Sequence, residues 1–260
     1  MKHASRYTVQ PGWKLLIADL GLSVKAVLAL AGLPQDLFSQ SNVQLSTEQY
    51  FALWHGLEQA AAGQELPLMI GQAISVEAFD APIFASLCSP NLNIALRRLS
   101  QFKMLLGPMA LEVDIQAEQT SATMRSLFPQ YPIPRTMAYA EVVFLTKLAR
   151  LATRSELKPV AVELQEPSTQ SLAYQSFFGV PVVISSVNKI TFSAEDAQRP
   201  FLTENNLMWR SFEPGLRQRL HELNESVSVS QRVKSALLES LPSGQSAMEL
   251  VASRLNMSKR

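Results

Sequence analysis

The sequence is poor in the residues that enzymes, metal sites and secreted domains draw on. One cysteine, Cys88, stands in 260 residues, which excludes an internal disulfide framework and any zinc site built from several thiolates. Three histidines, His3, His55 and His221, lie far apart, so no histidine-rich metal site is expected. Long apolar runs are also missing. The most apolar early stretch, Leu15 to Leu33, is interrupted by Asp19, Gly21, Ser23 and Lys25, whereas a spanning helix needs about 20 nearly charge-free residues. Gly32-Leu33-Pro34 makes a poor signal-peptide cleavage site. The expectation is a protein of the reducing cytoplasm with no membrane partner. An excess of one charge is missing too: 23 Lys and Arg face 22 Asp and Glu, so the chain as a whole is not a polybasic nucleic-acid coat. No Gly-rich phosphate loop, His-Glu-x-x-His pattern or Gly-x-Ser-x-Gly elbow occurs. The expectation is therefore a non-enzyme with no catalytic residue, cofactor or metal. A small hydrolase using His55 is the remote alternative, since His55 beside Trp54 is the one plausible base and no nucleophile signature accompanies it. The plainer reading of that pair is Trp54 in the core and His55 at its edge.

What is present is core material. Apolar residues make up 47% and charged residues 17%, enough for one large domain, or one with a small appendage. The first 75 or so residues read as helices. Ser23 is placed to cap a short helix ending at Gly32, and Ser46 with Gln49 spells a capping box ahead of Tyr50, Leu53, Trp54 and Leu57. Ala73 to Pro82, small and aromatic, leads into a further short helix. Ser89-Pro90-Asn91 stops one helix and starts another, on which Leu92, Ala95, Leu96, Leu99, Phe102 and Leu106 recur at helical spacing. Arg97, Arg98 and Lys103 on that helix read as a solvated flank, or else as an anion site.

The period then changes to two. Leu111, Val113 and Ile115 alternate with Glu112, Asp114 and Gln116, and Thr120 to Phe128 reads as the hairpin partner. A helix over 136–153, with Ala138, Val142, Leu145, Leu148 and Ala149 inward, is followed by a strand at Val160 to Leu164. Ser168 is placed to cap a helix carrying Tyr174, Phe177 and Phe178, which stops at Gly179. Val182 to Ile184 and Ile190 to Phe192 read as a last hairpin around Asn188. Helices and an antiparallel sheet in this order make an α+β domain. Ser193 and Asp196 then open more helix, and Pro214 suits a first turn. Glu225 to Ser230 reads as a linker or hinge. Ser246 with Glu249 spells another capping box, beyond a break at Pro242-Ser243-Gly244. From Trp209 onward eight basic residues face five glutamates, a local +3 against −2 for the remainder.

At the end of the chain, Leu250, Val251, Ala252 and Leu255 followed by Asn256-Met257-Ser258 resemble the first helix and turn of a helix-turn-helix, with Ser258, Lys259 and Arg260 where a recognition helix begins. The pattern closely resembles the DNA-binding region of the arabinose-regulator (AraC/XylS) family of bacterial transcription factors. Further stretches resemble the effector-binding domain of that family's ornithine-regulator-like branch: Gly71-Gln72-Ala73-Ile74-Ser75, Ser89 to Leu99, Leu106-Gly107-Pro108, Tyr174 to Pro181 and Phe192 to Asp196. The resemblance implies a small-molecule sensor joined to a DNA-binding domain, dimeric, with DNA as a partner of the full-length protein. The expected organisation is an effector-binding domain over 1–208, a helical linker over 209–228, and over 229–260 the all-helical first part of a helix-turn-helix domain left incomplete at Arg260. Such a tail alone offers phosphate contacts without base readout.

An effector site is expected as an apolar cavity with a few placed polar groups. Candidates are Glu77, Phe79, Phe84, Cys88, Phe102, Arg135, Tyr139, Tyr174 and Phe177. Arg135 follows the rigid Tyr131-Pro132-Ile133-Pro134 and suits bidentate pairing with the carboxylate of an amino acid or another acid; Glu77, Asp80 or Glu141 would suit an amine. The alternative in another class is a dimerisation module without a ligand, pairing with a full-length regulator through the helices of 209–241.

Overall fold

The computed structural model describes residues 6–9, 12–39, 43–73 and 80–240, with side chains as far as 223. Glu77, Phe79, the capping box at Ser246 and Glu249, and the Ser258, Lys259 and Arg260 positions lie outside the described residues. A two-stranded antiparallel ribbon, β1 (Arg6–Thr8) with β2 (Gln44–Ser46), closes the N-terminal part; sequence periodicity is silent on strands this short. Around it lie α1 (Gly12–Asp19), α2 (Val24–Leu30), α3 (Thr47–Ala60) and α4 (Leu66–Ala73). The caps expected here are in place. Ser23 accepts from the Ala26 amide, and Ser46 and Gln49 form the reciprocal capping box, which satisfies donors that the helix leaves open. Gly56 lets α2 and α3 touch: a Cβ there would lie 2.6 Å from the Val27 carbonyl oxygen.

Next come α5 (Ala81–Leu87) and α6 (Leu92–Phe102), capped by Asp80 and Asn91. The apolar face of α6 is the one expected, with Leu92, Ala95, Leu96, Leu99 and Phe102 buried. Lys103 departs from the solvated flank: it begins a 3-10 turn, is 2% exposed, and pairs with Glu141.

The sheet has five strands in the order β3 (Met109–Ile115), β4 (Gln119–Ser126), β7 (Asn188–Ser193), β5 (Ala161–Leu164), β6 (Val182–Ile184). The β3–β4 hairpin pairs Met109 with Ser126 through Ile115 with Thr120. The expected hairpin between Val182–Ile184 and Ile190–Phe192 does not form. β5 lies between them, antiparallel to β7 and parallel to β6. The reason is burial. Val162 and Leu164 of β5 are fully enclosed and need neighbours on both edges, whereas Val183 and Ile184 are more than half exposed, as an edge strand tolerates. Helix α8 (Ser171–Phe178) supplies the crossover that parallel neighbours require. Its first turn is not capped by Ser168, which instead accepts from the Gln170 amide and donates to Glu65; Gly179, at φ +79°, ends it as expected.

Helix α7 (Arg135–Thr153) runs through the middle, with 15 of its 19 residues buried. The one-sided face expected from sequence is too narrow, because α7 packs on α3 and α4 on one side and on β5 and β7 on the other. Gly71 of α4 permits that approach, since a Cβ there would meet Val143 Cγ1 at 2.5 Å. After α9 (Ala194–Gln198), capped by Ser193, α10 runs unbroken over Asn206–Ser240. Two expectations change here. Pro214 lies inside α10 rather than at its start, on the exposed side, where a carbonyl left without its helical donor can face solvent. The helix also continues through 225–230, because Leu216 to Leu241 contains no Gly or Pro to stop it and serine costs only a few tenths of a kcal/mol in a helix. The start of α10 docks on α5 and α6 through a small second core of Ala85, Phe102, Leu105 and Leu216, flanked by Trp209 and Phe212.

Candidate functional site

Most of the described candidate residues fall into two groups. The first surrounds the start of α7. Pro132 and Pro134 hold the approach extended, and Pro134 takes the cap position, where it has no side-chain acceptor to offer. Arg135 is thereby aimed at two carboxylates. Its Nε and Nη2 both donate to Oε1 of Glu58 on α3, at 3.2 and 2.8 Å. Its Nη1 lies 3.6 Å from Oε2 of Glu65, the residue that precedes α4. Glu65 is itself buried and accepts hydroxyls from Tyr174 at 2.7 Å and Ser168 at 2.8 Å. The Arg135 guanidinium stands 5.5 Å from the Tyr139 ring centre, and Tyr139 and Tyr174 pack with centroids 4.6 Å apart. The Tyr139 hydroxyl donates to the Glu166 carbonyl.

The structure brings three of the candidates, Arg135, Tyr139 and Tyr174, together in one cluster, with Arg135 already paired within the chain. Glu58 and Glu65 were not among the candidates. They lie 77 and 70 positions from Arg135 in the sequence, and no local pattern marks a carboxylate whose partner is that distant.

The electrostatics follow from the geometry. Burial pushes the Glu58 carboxyl up, but the neighbouring Thr136 hydroxyl and Arg135 guanidinium outweigh it and hold it below its ordinary value. Burial weakens the Arg135 cation, yet Glu58 and Glu65 together carry its pKa above the usual arginine value. Burial, then the hydrogen bond to Glu65, drives the Tyr174 phenol well above its ordinary range, so Tyr174 is a fixed donor. Beside Arg135 a narrow recess of about 10 Å³, room for about one water, is lined by Tyr139, Leu164, Gln165, Glu166 and Asn188. Gln165 and Asn188 are tied to each other, side chain to side chain at 3.0 Å.

The second group, Phe84, Cys88 and Phe102, faces α10. Phe84 meets Phe212 edge-on at 5.5 Å, and Phe102 meets Trp209 at 6.3 Å. Arg98, from the supposed cationic flank, is stacked over Trp209 at 3.8 Å. Cys88 is buried, and desolvation raises its thiol pKa, which disfavours the reactive thiolate. Phe177 joins neither group: it is half-buried under Arg150, 4.9 Å away, and against Phe178. Of the carboxylates suited to an amine, Asp80 caps α5 and lies 3.7 Å from Arg219, and Glu141 is occupied by Lys103. His55 is exposed and Trp54 buried. Among the described residues, no helix is long and apolar enough to cross a membrane.

Comparison with known proteins agrees with this architecture. Residues 21–201 match the family described as the arabinose-binding domain of AraC transcription regulator, N-terminal. Over 228 residues the chain is 23% identical to the ornithine utilization regulator of Pseudomonas aeruginosa, covering 86% of this chain and 67% of that protein. Its fold is similar to the crystal structure of the transcriptional regulator CdpR from Pseudomonas aeruginosa, with a TM-score of 0.57 at 17% identity over 97% of this chain and 77% of that one. Since the family match spans more than two thirds of its length, the chain belongs to the AraC family of transcription regulators and carries that family's ligand-binding domain.

Proposed function

We propose that this chain is the effector-sensing part of a transcription regulator: it binds a small metabolite in the cytoplasm, works as a homodimer, and reports to DNA through a helix-turn-helix region that this sequence holds only in part. The observation that carries this reading is the match of residues 21–201 to the arabinose-binding domain. The polar cluster at the start of α7 supports it, because a buried carboxylate such as Glu65, gathered with a second carboxylate around one arginine, is seldom placed for stability alone. We extend to this chain, from the name of the ornithine utilization regulator, an amino acid as the first effector to try. Ligand occupancy would bias how the following helices are presented, which requires different affinities for two arrangements of the domain.

The test is a thermal-shift screen of the chain against amino acids, polyamines, fatty acids and aromatic acids, with calorimetry on each hit. A ligand at 100 times its dissociation constant stabilises the fold by about 2.7 kcal/mol. A saturable hit establishes the sensor. A flat screen, together with a dimer that exchanges subunits with a full-length regulator, favours the ligand-free dimerisation reading instead.

A further inference from the structure

We propose that the N-terminus of α7, with Arg135 and Thr136, is a carboxylate-binding site, and that Glu58 is an internal stand-in which an effector carboxylate displaces. This rests on the reading of the chain as a sensor and names its ligand chemistry and its site.

Three groups seeking an anion converge there. Helix α7 is 19 residues long and begins at Pro134 with no side-chain cap, so its open amides and its dipole favour negative charge. Thr136, in the first turn, is fully buried, and its hydroxyl lies beside Glu58 without meeting it, or any other partner, at good hydrogen-bonding geometry. Arg135 Nη1 is likewise buried and makes no hydrogen bond, its Glu65 partner standing 3.6 Å away. The anion these groups do have is Glu58. It is an imperfect fit: both Arg135 donors share one oxygen, at 3.2 and 2.8 Å, instead of the two parallel bonds that a free carboxylate can make.

The two carboxylates of the cluster differ in how firmly they are held. The Glu65 side chain is 5% exposed and takes hydroxyls from Tyr174 and Ser168, so it stays. The Glu58 side chain is 33% exposed and can turn to water. Exchanging Glu58 for a ligand carboxylate replaces one ion pair by a similar one, so the ligand gains mainly from better geometry and from contact with Tyr139 and the adjoining recess. That recess, about 10 Å³, has room for about one water, so the ligand carboxylate takes the space that Glu58 vacates and the rest of the ligand lies toward solvent. Displaced Glu58 would remain close by, ready to accept from an ammonium on the same ligand. The exchange also releases a bond between α3 and α7, one of the contacts by which the N-terminal helices meet α7, which gives the binding event a structural output.

The experiment is calorimetric titration of the whole chain, as wild type, Glu58→Gln, Arg135→Gln and the double variant, with sodium acetate as the minimal carboxylate. L-ornithine and 1,4-diaminobutane, the same amine skeleton without the carboxylate, are titrated alongside. Because Arg135→Gln leaves two carboxylates together and can weaken folding, the uncharged double variant, checked by circular dichroism, is the reference for loss. The expected result is acetate binding about tenfold tighter in Glu58→Gln than in wild type, since the competing state is removed, with no gain for 1,4-diaminobutane and no acetate binding in the double variant. The proposal is overturned if Glu58→Gln gains nothing, if it gives no heat up to about 0.1 M acetate, where even a weak site fills, or if the double variant binds acetate as well as Glu58→Gln. A hit from the effector screen that binds wild type and double variant alike removes this site and leaves the sensor standing.

Discussion

Lys103 and Glu141 offer the sharpest test of how the helical layer is tied to α7. Their side chains are 3% and 10% exposed, and they link the turn after α6 to the second turn of α7. Two charges withdrawn from water are tolerated because each neutralises the other. Removing one strands its partner, which costs about 3–5 kcal/mol out of the roughly 5–15 kcal/mol that holds a typical domain folded. Removing both strands nothing: Lys103→Met with Glu141→Leu keeps the volume and exchanges an ion pair for apolar contact, a change that is often neutral or stabilising. Each single variant is therefore expected to lose about 3–5 kcal/mol, and the double variant to recover most of either loss. The assay is urea unfolding followed by far-ultraviolet circular dichroism. With a denaturant slope of about 3 kcal/mol per molar, the single variants unfold at least about 1 M earlier. If Lys103→Met lies within about 1 kcal/mol of wild type, the pair behaves as a surface ion pair does and the burial reasoning is refuted. A double variant weaker than either single would refute it as well.

Other expectations follow from close contacts and from charge. Gly56→Ala places a methyl 2.6 Å from the Val27 carbonyl oxygen and 2.9 Å from the Ala31 amide, both backbone atoms that cannot turn aside, so a loss of about 1–3 kcal/mol is expected. Gly215→Ala, where nothing lies within 4 Å of the new methyl, is expected to gain about 0.5–1 kcal/mol from helix propensity; equal effects in thermal melts would refute the packing account. Trp209→Ala removes the ring on which Arg98 stacks and opens the small core beneath α10. It is expected to cost about 2–3 kcal/mol and to speed proteolysis ahead of α10, whereas an unchanged cleavage rate would mean that α10 is held elsewhere. Finally, the Glu58 carboxyl is held below its ordinary 4.5. A depressed value adds stability that is present above the unfolded pKa and lost as pH falls through the folded one. Wild type should therefore exceed Glu58→Gln in stability at neutral pH and converge with it in acid; a gap that stays constant from neutrality to about pH 3 contradicts this linkage.

Several stretches that carry the family resemblance are devices of the fold. Gly71 is where α4 meets α7. Asn91 caps α6, and Ser89 accepts from Arg98 at 2.9 Å. Leu106 offers its carbonyl to Tyr50 at 2.8 Å, and Ser193 caps α9. Tyr174 is the exception, since its hydroxyl enters the Arg135 cluster through Glu65. The resemblance therefore identifies the family more directly than it identifies the ligand.

What the sequence determined by itself is what acts over a few residues. Caps at Ser23, Ser46 and Asn91, the period-two run at Leu111, and the glycine stop at Gly179 each depend on backbone groups within one turn, so their residues can be read in place. Tertiary structure decided everything that depends on distant neighbours. Whether β6 pairs with β7 or with β5 turns on which strand can bury both edges, and α7 is buried all round only because a sheet and a helical layer close on it from opposite sides. Arg135 reads in isolation as a cation awaiting an anion. It is Glu58 and Glu65, brought in from 77 and 70 positions away, that make it a paired and exchangeable one, because Coulomb attraction follows distance through space and leaves no trace in local spacing.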